Sequence, residues 1–274
     1  MIATIKAEWR KNRFRPAFLV SSGLIAGITV LIYGVSWYQA LHPGTGDRRG
    51  IASIAALYPD QFVNAVMGAG FPLGAAIAIV LGALVAGSEY SWGTMKTTLT
   101  QGPGRLTTWF GRVVAFEAWM GILTLVLFVV GVASSVVVAS FQGHTIAWPA
   151  AVDIVKGLGA MWLVFAVNGA IGLALGVLIR HSAAALGVGL IYVLAVEVLL
   201  VRFVDSLNNG AYQWIGNLFV NQNATALTQS FHSPAFGSSV APSIGAEQAV
   251  LVLFAYFAGL IIIAAALIRQ RDVT

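Results

Sequence analysis

Six stretches of at least 20 residues follow one another along this chain with a single charge, Glu197, among them. They cover 17–37, 64–87, 118–141, 157–179, 182–201 and 248–268. An α-helix needs about 20 residues to cross the roughly 30 Å of hydrocarbon in a bilayer. Lipid offers the backbone no hydrogen-bond partners, so a spanning segment must be a helix or part of a closed barrel. The runs are continuous, without the period-two alternation of a barrel strand. The expected fold class is therefore all-α integral membrane: six transmembrane helices in a single domain over residues 1–274. Composition agrees, since hydrophobic residues make up 58% of the chain and charged residues 9%. A soluble domain has about 25% charged residues to wet its surface.

The 15 Lys and Arg exceed the 10 Asp and Glu, but they cluster beside apolar runs rather than in a patch with interleaved aromatics. Nucleic-acid binding is thereby disfavoured, and the positive-inside rule accounts for the excess. Lys6, Arg10, Lys11, Arg13, Arg15, Lys96, Arg105, Arg112, Arg180, Arg269 and Arg271 fall on one side of a six-span chain. Arg48, Arg49, Lys156 and Arg202 fall on the other. Both termini are expected in the cytoplasm, and the Arg, Ala, Val and Gly bias suggests a bacterial inner (cell) membrane. The first run is expected to stay in the protein: it is longer than a signal-peptide core and no convincing small-x-small cleavage site follows. Cysteine is absent, which excludes disulfides, thiolate metal sites and cysteine nucleophiles.

Outside the spans, three segments carry pattern. In residues 1–16, Ile2, Ile5 and Trp9 share a helical stripe while Lys6, Arg10 and Arg13 lie off it. That pattern predicts an N-terminal interfacial elbow helix, either a plain anchor with snorkelling Arg or one that also touches a cytoplasmic partner. Pro16 suits the first turn of the span that follows. In the loop 88–112, Trp92, Met95 and Leu99 recur at helical spacing before Gly102-Pro103-Gly104 breaks the pattern. Leu106, Trp109, Phe110 and Val113 then restart an amphipathic pattern into the third span. A short helix with exposed Trp and Met needs headgroups or a partner protein to cover it. The long external loop 202–247 has no Lys, Arg, Asp or Glu between Ser206 and Ala246, yet it is crowded with Asn and Gln. Re-entrant external helices before span six, with their amides satisfied inside protein or a cavity, are one reading; a plain external loop is the other.

Gly87-Ser88-Glu89-Tyr90, then Trp92-Gly93-Thr94-Met95-Lys96, then Leu99-Thr100 and Arg105 resemble the loop between spans two and three of type-2 ABC exporter permeases. The chain plan of basic elbow helix, six spans and long fifth loop is similar too. The motif covers about twenty residues, and the likeness of plan covers the whole chain. The resemblance implies a cytoplasmic coupling helix between spans two and three, seated on a separate ATPase, with two permease subunits forming the substrate path. Glu89, Tyr90, Trp92, Met95, Lys96 and Leu99 are the contacts it implies, with Glu89 at the hinge to the second span. A carboxylate favouring a helix N-terminus is the plainer account of Glu89, and an interfacial anchor that of Trp92.

No Gly-x-x-x-x-Gly-Lys-Ser/Thr occurs, so the chain is expected not to be an enzyme and to need no cofactor; ATP and Mg would belong to the partner ATPase. No His-Glu-x-x-His occurs and the four histidines lie outside the spans, so no metal site is expected. Charges inside a span are functional hypotheses by default. Glu197 is a candidate for the substrate path near the outer end of the fifth span, or else a snorkelling carboxylate. Glu117 is expected to pair with Arg112. Asn168 is a second, weaker path candidate, or interhelical glue. With so little buried charge, the implied substrate is amphipathic or hydrophobic: a drug, antibiotic, peptide or lipid-like molecule. An ion-coupled secondary transporter would want acidic pairs at mid-membrane and inverted repeats, which the sequence does not display. A non-transporting membrane scaffold leaves no sequence signature to test.

Overall fold

The computed structural model of the chain describes residues 1–42, 54–91, 104–206, 213–231 and 244–270. Among them are helices α1 (Ile2–Arg13), α2 (Pro16–Leu41), α3 (Phe62–Ser91), α4 (Arg105–Phe141) and α5 (Ala151–Ile179). They continue with α6 (Ser182–Ile191), α7 (Glu197–Ser206), α8 (Gln213–Gly216), α9 (Val220–Gln229) and α10 (Ala246–Gln270), and no strand occurs among the described residues. One π-helical turn, Tyr192–Val196, joins α6 to α7. The chain thus has six helical segments long and apolar enough to cross a membrane: α2, α3, α4, α5, α6 with α7, and α10.

Local chemistry explains the joints. Arg15 is extended (φ −78°, ψ 122°) and Pro16 opens α2, because proline disfavours helix at the residue before it and fits the first helical position. The turn between α5 and α6 takes two residues. Arg180 closes α5 in the left-handed conformation (φ 57°), and the His181 ring accepts the Ala184 N–H at 3.4 Å to cap α6.

Several boundaries differ from expectation. The third span begins at Arg105 rather than 118, giving α4 37 residues and a length of about 55 Å. One end therefore projects well beyond the hydrocarbon. Trp109 and Val113 pack on the bundle, with Leu106 exposed a turn earlier, and let the helix start early. Ser88–Ser91 likewise belong to α3, so the loop expected over 88–112 shrinks at both ends. Trp92, Met95, Lys96 and Leu99 lie outside the described residues. The fifth span runs on to Ser206, five residues past the expected end at 201, with Arg202 and Phe203 exposed on its last turns.

Helices α3 and α5 form the centre, and their backbones nearly touch. A Cβ added to Gly172 would fall 2.2 Å from the Ile79 carbonyl oxygen, closer than any side chain tolerates. Helix α4 packs on this pair and carries α1 and α2 on its outer side. Phe18 of α2 meets Phe116 and Trp119 of α4 at 6.5 and 5.1 Å between ring centres. The peripheral helices turn large apolar side chains outward, among them Leu19, Val20 and Leu31 of α2, Leu199 of α7, and Leu251 and Ile262 of α10. A water-facing surface does not carry so much contiguous apolar area; a lipid-facing one does. The chain is a multi-pass membrane protein. Because the spans alternate in direction, the starts of α2, α4 and α6 and the ends of α3, α5 and α10 share one end of the bundle with α1, the α1 end below.

Candidate functional site: a buried ionic cluster at the α1 end

Helix α1 presents two different faces. Arg15 lies in the extended link after α1, whereas Glu8, Lys11 and Asn12 fall at i, i+3 and i+4 of the helix and so line one stripe. That stripe faces inward, with Glu8 and Asn12 fully buried. Glu89, in the last turn of α3, is also buried and receives both Lys11 and Arg112 as ion-pair partners. Arg112 lies 3.6 Å from Glu8, Lys11 3.8 Å from Glu8, and Arg15 donates to the Ser88 hydroxyl at 3.2 Å. Three helices far apart in sequence thus meet through one network of two carboxylates and three cations. Burial lowers the Arg15 pKa from its ordinary value, against the opposing pull of Glu89 and Glu8.

This geometry corrects two expectations. Glu89 is not at a helix N-terminus but at the C-terminal end of α3, where the helix dipole disfavours an anion. The cations of α1 and α4 supply the compensation. Arg112 pairs with Glu89 and Glu8 rather than with Glu117. Glu117 lies five residues on, more than a turn away and on a different face. Both of its carboxylate oxygens are buried without a hydrogen-bond partner among the described residues. Its backbone carbonyl accepts the Trp162 indole N–H at 3.2 Å.

Tyr90 is the other candidate of this region within the described residues. It packs on the short turn between α5 and α6, with the Arg180 guanidinium 5.7 Å from its ring centre. Glu89 and Tyr90 therefore sit side by side, bound to opposite neighbours, immediately before the segment 92–103.

The two candidates for a substrate path are not brought together with this cluster or described as partners of each other. Asn168 is buried in α5 and its side-chain N–H donates to Val164 of the same helix at 2.8 Å. That bond stays within one helix, and its carbonyl oxygen has no hydrogen-bond partner among the described residues, so no interhelical bond by Asn168 occurs among them. Glu197 follows the π-helical turn and is fully buried rather than snorkelling. Its carboxylate accepts backbone N–H groups of Asn221 and Gln222 and the Tyr192 hydroxyl. Asn221 and Gln222 open α9, so a side chain of one span caps a helix of the following segment. A carboxylate suits that place because the first N–H groups of a helix have no partner within it. A cavity of about 170 Å³ lies alongside, between Val198, Arg202 and Gln222. Buried Asn223 donates to Asn217 and Phe219, both at 2.8 Å, so the amide-rich segment satisfies part of its polarity internally.

The helices that hold Glu89, Arg112 and Glu197 all lie within residues 60–274, which match the model of a family described as "Protein of unknown function (DUF2705)". The chain belongs to that family. No curated protein matches it. The family match begins at the foot of α3, so it takes in two of the three helices of the ionic cluster. Glu8, Lys11 and Arg15 come from outside the matched residues.

Sequence reading missed the inward stripe of α1. The signal was present as Glu8, Lys11 and Asn12 at helical spacing, beside a more conspicuous apolar stripe.

Proposed function

We propose that this chain is the membrane permease subunit of a type-2 ABC exporter, with ATP bound and hydrolysed by a separate cytoplasmic subunit. Both termini and the α1 end face the cytoplasm of a bacterial cell, and a second permease, a copy or a paralogue, completes the path. The observation that carries this reading is the Glu89 cluster. A segment that passes force from an ATPase to the spans must be anchored at both ends, or it would bend instead of pushing. Residues 92–103 follow α3 just after Glu89 and precede α4, which begins seven residues before Arg112, so the two anchors are salt-bridged to each other and to α1. Trp92, Met95, Lys96 and Leu99 then form the face that docks on the ATPase, with Glu89 and Tyr90 at its root. The exported compound is amphipathic or hydrophobic, and resistance to a drug or antibiotic is the corresponding phenotype.

Affinity purification of the full chain from its native membrane tests this. A partner ATPase with a phosphate-binding loop is expected in the wild-type preparation. Interface hot spots favour Trp, and losing one commonly costs about 2 kcal/mol or more. Trp92→Ala with Leu99→Ala should therefore lose that partner, or keep it with hydrolysis uncoupled from transport, while the permease stays folded. A wild-type chain that purifies without any such ATPase, and variants that behave like it, would refute the reading.

One observation favours a second reading. Glu117 is a buried carboxylate of α4 whose oxygens have no hydrogen-bond partner among the described residues, and unpaired buried carboxylates in membrane proteins serve proton and ion relays. In an ion-coupled transporter, collapse of the proton gradient would stop transport at constant ATP, and Glu117→Gln would abolish it.

A further inference from the structure

The face of α1 opposite to Glu8 has no assigned purpose. Lys6, Arg10 and Arg13 follow one another at i, i+4 and i+7, and so lie in one row on that face. All three are exposed, and no ion pair is recorded for any of them among the described residues. The one acid of α1, Glu8, is turned inward and engaged with Lys11 and Arg112. The helix has thus separated its charges: the neutralised ones hold it to the protein, and three bare cations remain outside.

These cations border a groove of about 410 Å³ between α1 and α4. Trp9 of α1 with Val114 and Ala118 of α4 provide its apolar wall, and no acidic residue lines it among the described residues. The groove is held open at a fixed width. At Gly111 the two helices touch, since a Cβ there would lie 2.8 Å from Thr4, while the ionic cluster fixes α1 from its other side. Beyond the groove, exposed Phe110 and Leu106 continue along α4. A row of cations thus lies at the edge of an apolar helix surface in a chain that spans the membrane.

We propose that this groove binds an anionic phospholipid of the surrounding leaflet. Its phosphate lies among Lys6, Arg10 and Arg13, and its glycerol and first acyl carbons lie against Trp9, Val114 and Ala118. Three cations without an acid match an anion and favour it over a zwitterionic headgroup, whose ammonium would have no carboxylate to face. The apolar wall requires a ligand with a hydrocarbon part, which a free phosphate lacks. The same α1 that holds the headgroup holds Glu89, so lipid occupancy bears on the segment 92–103 through a rigid element. The site does not depend on the exporter reading: it would exist in any membrane protein with this fold.

The test is native mass spectrometry of the purified full chain in a mild non-ionic detergent, titrated with phosphatidylglycerol or with phosphatidylcholine of the same acyl chains. The unmodified protein is expected to bind phosphatidylglycerol at least about tenfold more tightly, since each basic residue near an anionic surface contributes about one such step or slightly less. Arg10→Gln with Arg13→Gln should weaken phosphatidylglycerol binding roughly thirtyfold. The charge-matched pair Lys156→Gln with Arg269→Gln should leave it unchanged. Ala118→Trp fills the groove with every cation still present, and it should weaken binding comparably. Equal affinity for the two lipids overturns the proposal without any variant. Normal phosphatidylglycerol binding by the Ala118→Trp protein places the anion elsewhere, and displacement of the lipid by millimolar inorganic phosphate makes the ligand a free anion; either result overturns it too. The titration uses no ATPase, so its failure leaves the exporter reading untouched, and absence of an ATPase partner leaves this site untouched.

Discussion

Glu89 faces two cations that the structure places in unlike surroundings, so replacing each in turn separates burial from contact. The Arg112 side chain is 1% exposed and the Lys11 side chain 36% exposed, while both pair with the same carboxylate. Removing one member of a buried pair leaves an uncompensated charge and costs about 3–5 kcal/mol. A pair open to solvent contributes about 0–1 kcal/mol because water and salt screen it. Arg112→Met should therefore cost about 3–5 kcal/mol, since it strips Glu89 of its dry partner and Glu8 of its neighbour. Lys11→Met should cost no more than about 1 kcal/mol, since Arg112 continues to neutralise Glu89. Glu89→Gln should fall with Arg112→Met, because it leaves a fully buried guanidinium with only Glu8. The combination Glu89→Gln with Arg112→Met removes both charges and should cost less than the two single changes added together. Thermal unfolding in one detergent, followed by tryptophan fluorescence, ranks the four proteins. If Lys11→Met is as damaging as Arg112→Met, or if the double variant is strictly additive, the cluster is not the clamp described above.

Two further outcomes can be checked separately. Glu197→Ala removes the acceptor for two backbone N–H groups at the start of α9, and a buried donor left unsatisfied costs about 1–3 kcal/mol. Hydrogen exchange at Asn221 and Gln222 should accelerate while exchange in α3 and α5 is unchanged; equal acceleration throughout would mean that the carboxylate does not act as a local cap. Orientation can be read by single-cysteine labelling, for which a chain without cysteine is a ready background. His181→Cys, in the turn at the α1 end, should react with a membrane-impermeant reagent only after permeabilisation, and Thr45→Cys should react from outside; the reverse pattern inverts the topology.

How much of this was legible before any coordinates depended on the range of the interactions involved. The six spans were legible because hydrophobic length is a property of consecutive residues, and so were Pro16 at the start of α2 and the turn at Arg180-His181. The early start of α4 was half legible. Leu106, Trp109 and Val113 declared a helix, but its continuity with the span is set by packing on α3 and α1, which no window of α4 contains. The partners of Glu89 were not legible at all: Lys11 is 78 residues away and Arg112 is 23, with the nearer cation Lys96 standing between. The expected pairing of Glu117 with Arg112 failed for the same reason. Proximity in sequence suggested it, whereas on a helix five residues separate two faces and each charge answers to whichever neighbour its face meets.

Glu197 shows why an intramembrane charge is an ambiguous signal. Its isolation in an apolar run is what the sequence displays, and that isolation marks cost rather than purpose. The cost can be offset by a substrate, by a cation, or by the free N–H groups of a helix end. Here the N-terminus of α9 does it, 24 residues downstream, in a segment free of ionised side chains that could have taken its place. Glu89 reaches the same end through side chains, because a helix C-terminus offers carbonyls that repel it. Both carboxylates therefore fasten a shorter helix to a span, α9 in one case and α1 in the other. Glu117 has neither kind of partner among the described residues, which leaves it the buried acid whose cost the fold does not offset. A group in that position either holds a proton or meets its partner in another arrangement of the chain. Glu117→Gln distinguishes these: a protonated carboxyl is replaced by a near-isostere at little cost, whereas a carboxylate that pairs in a second arrangement loses that arrangement and, with it, the transport proposed above.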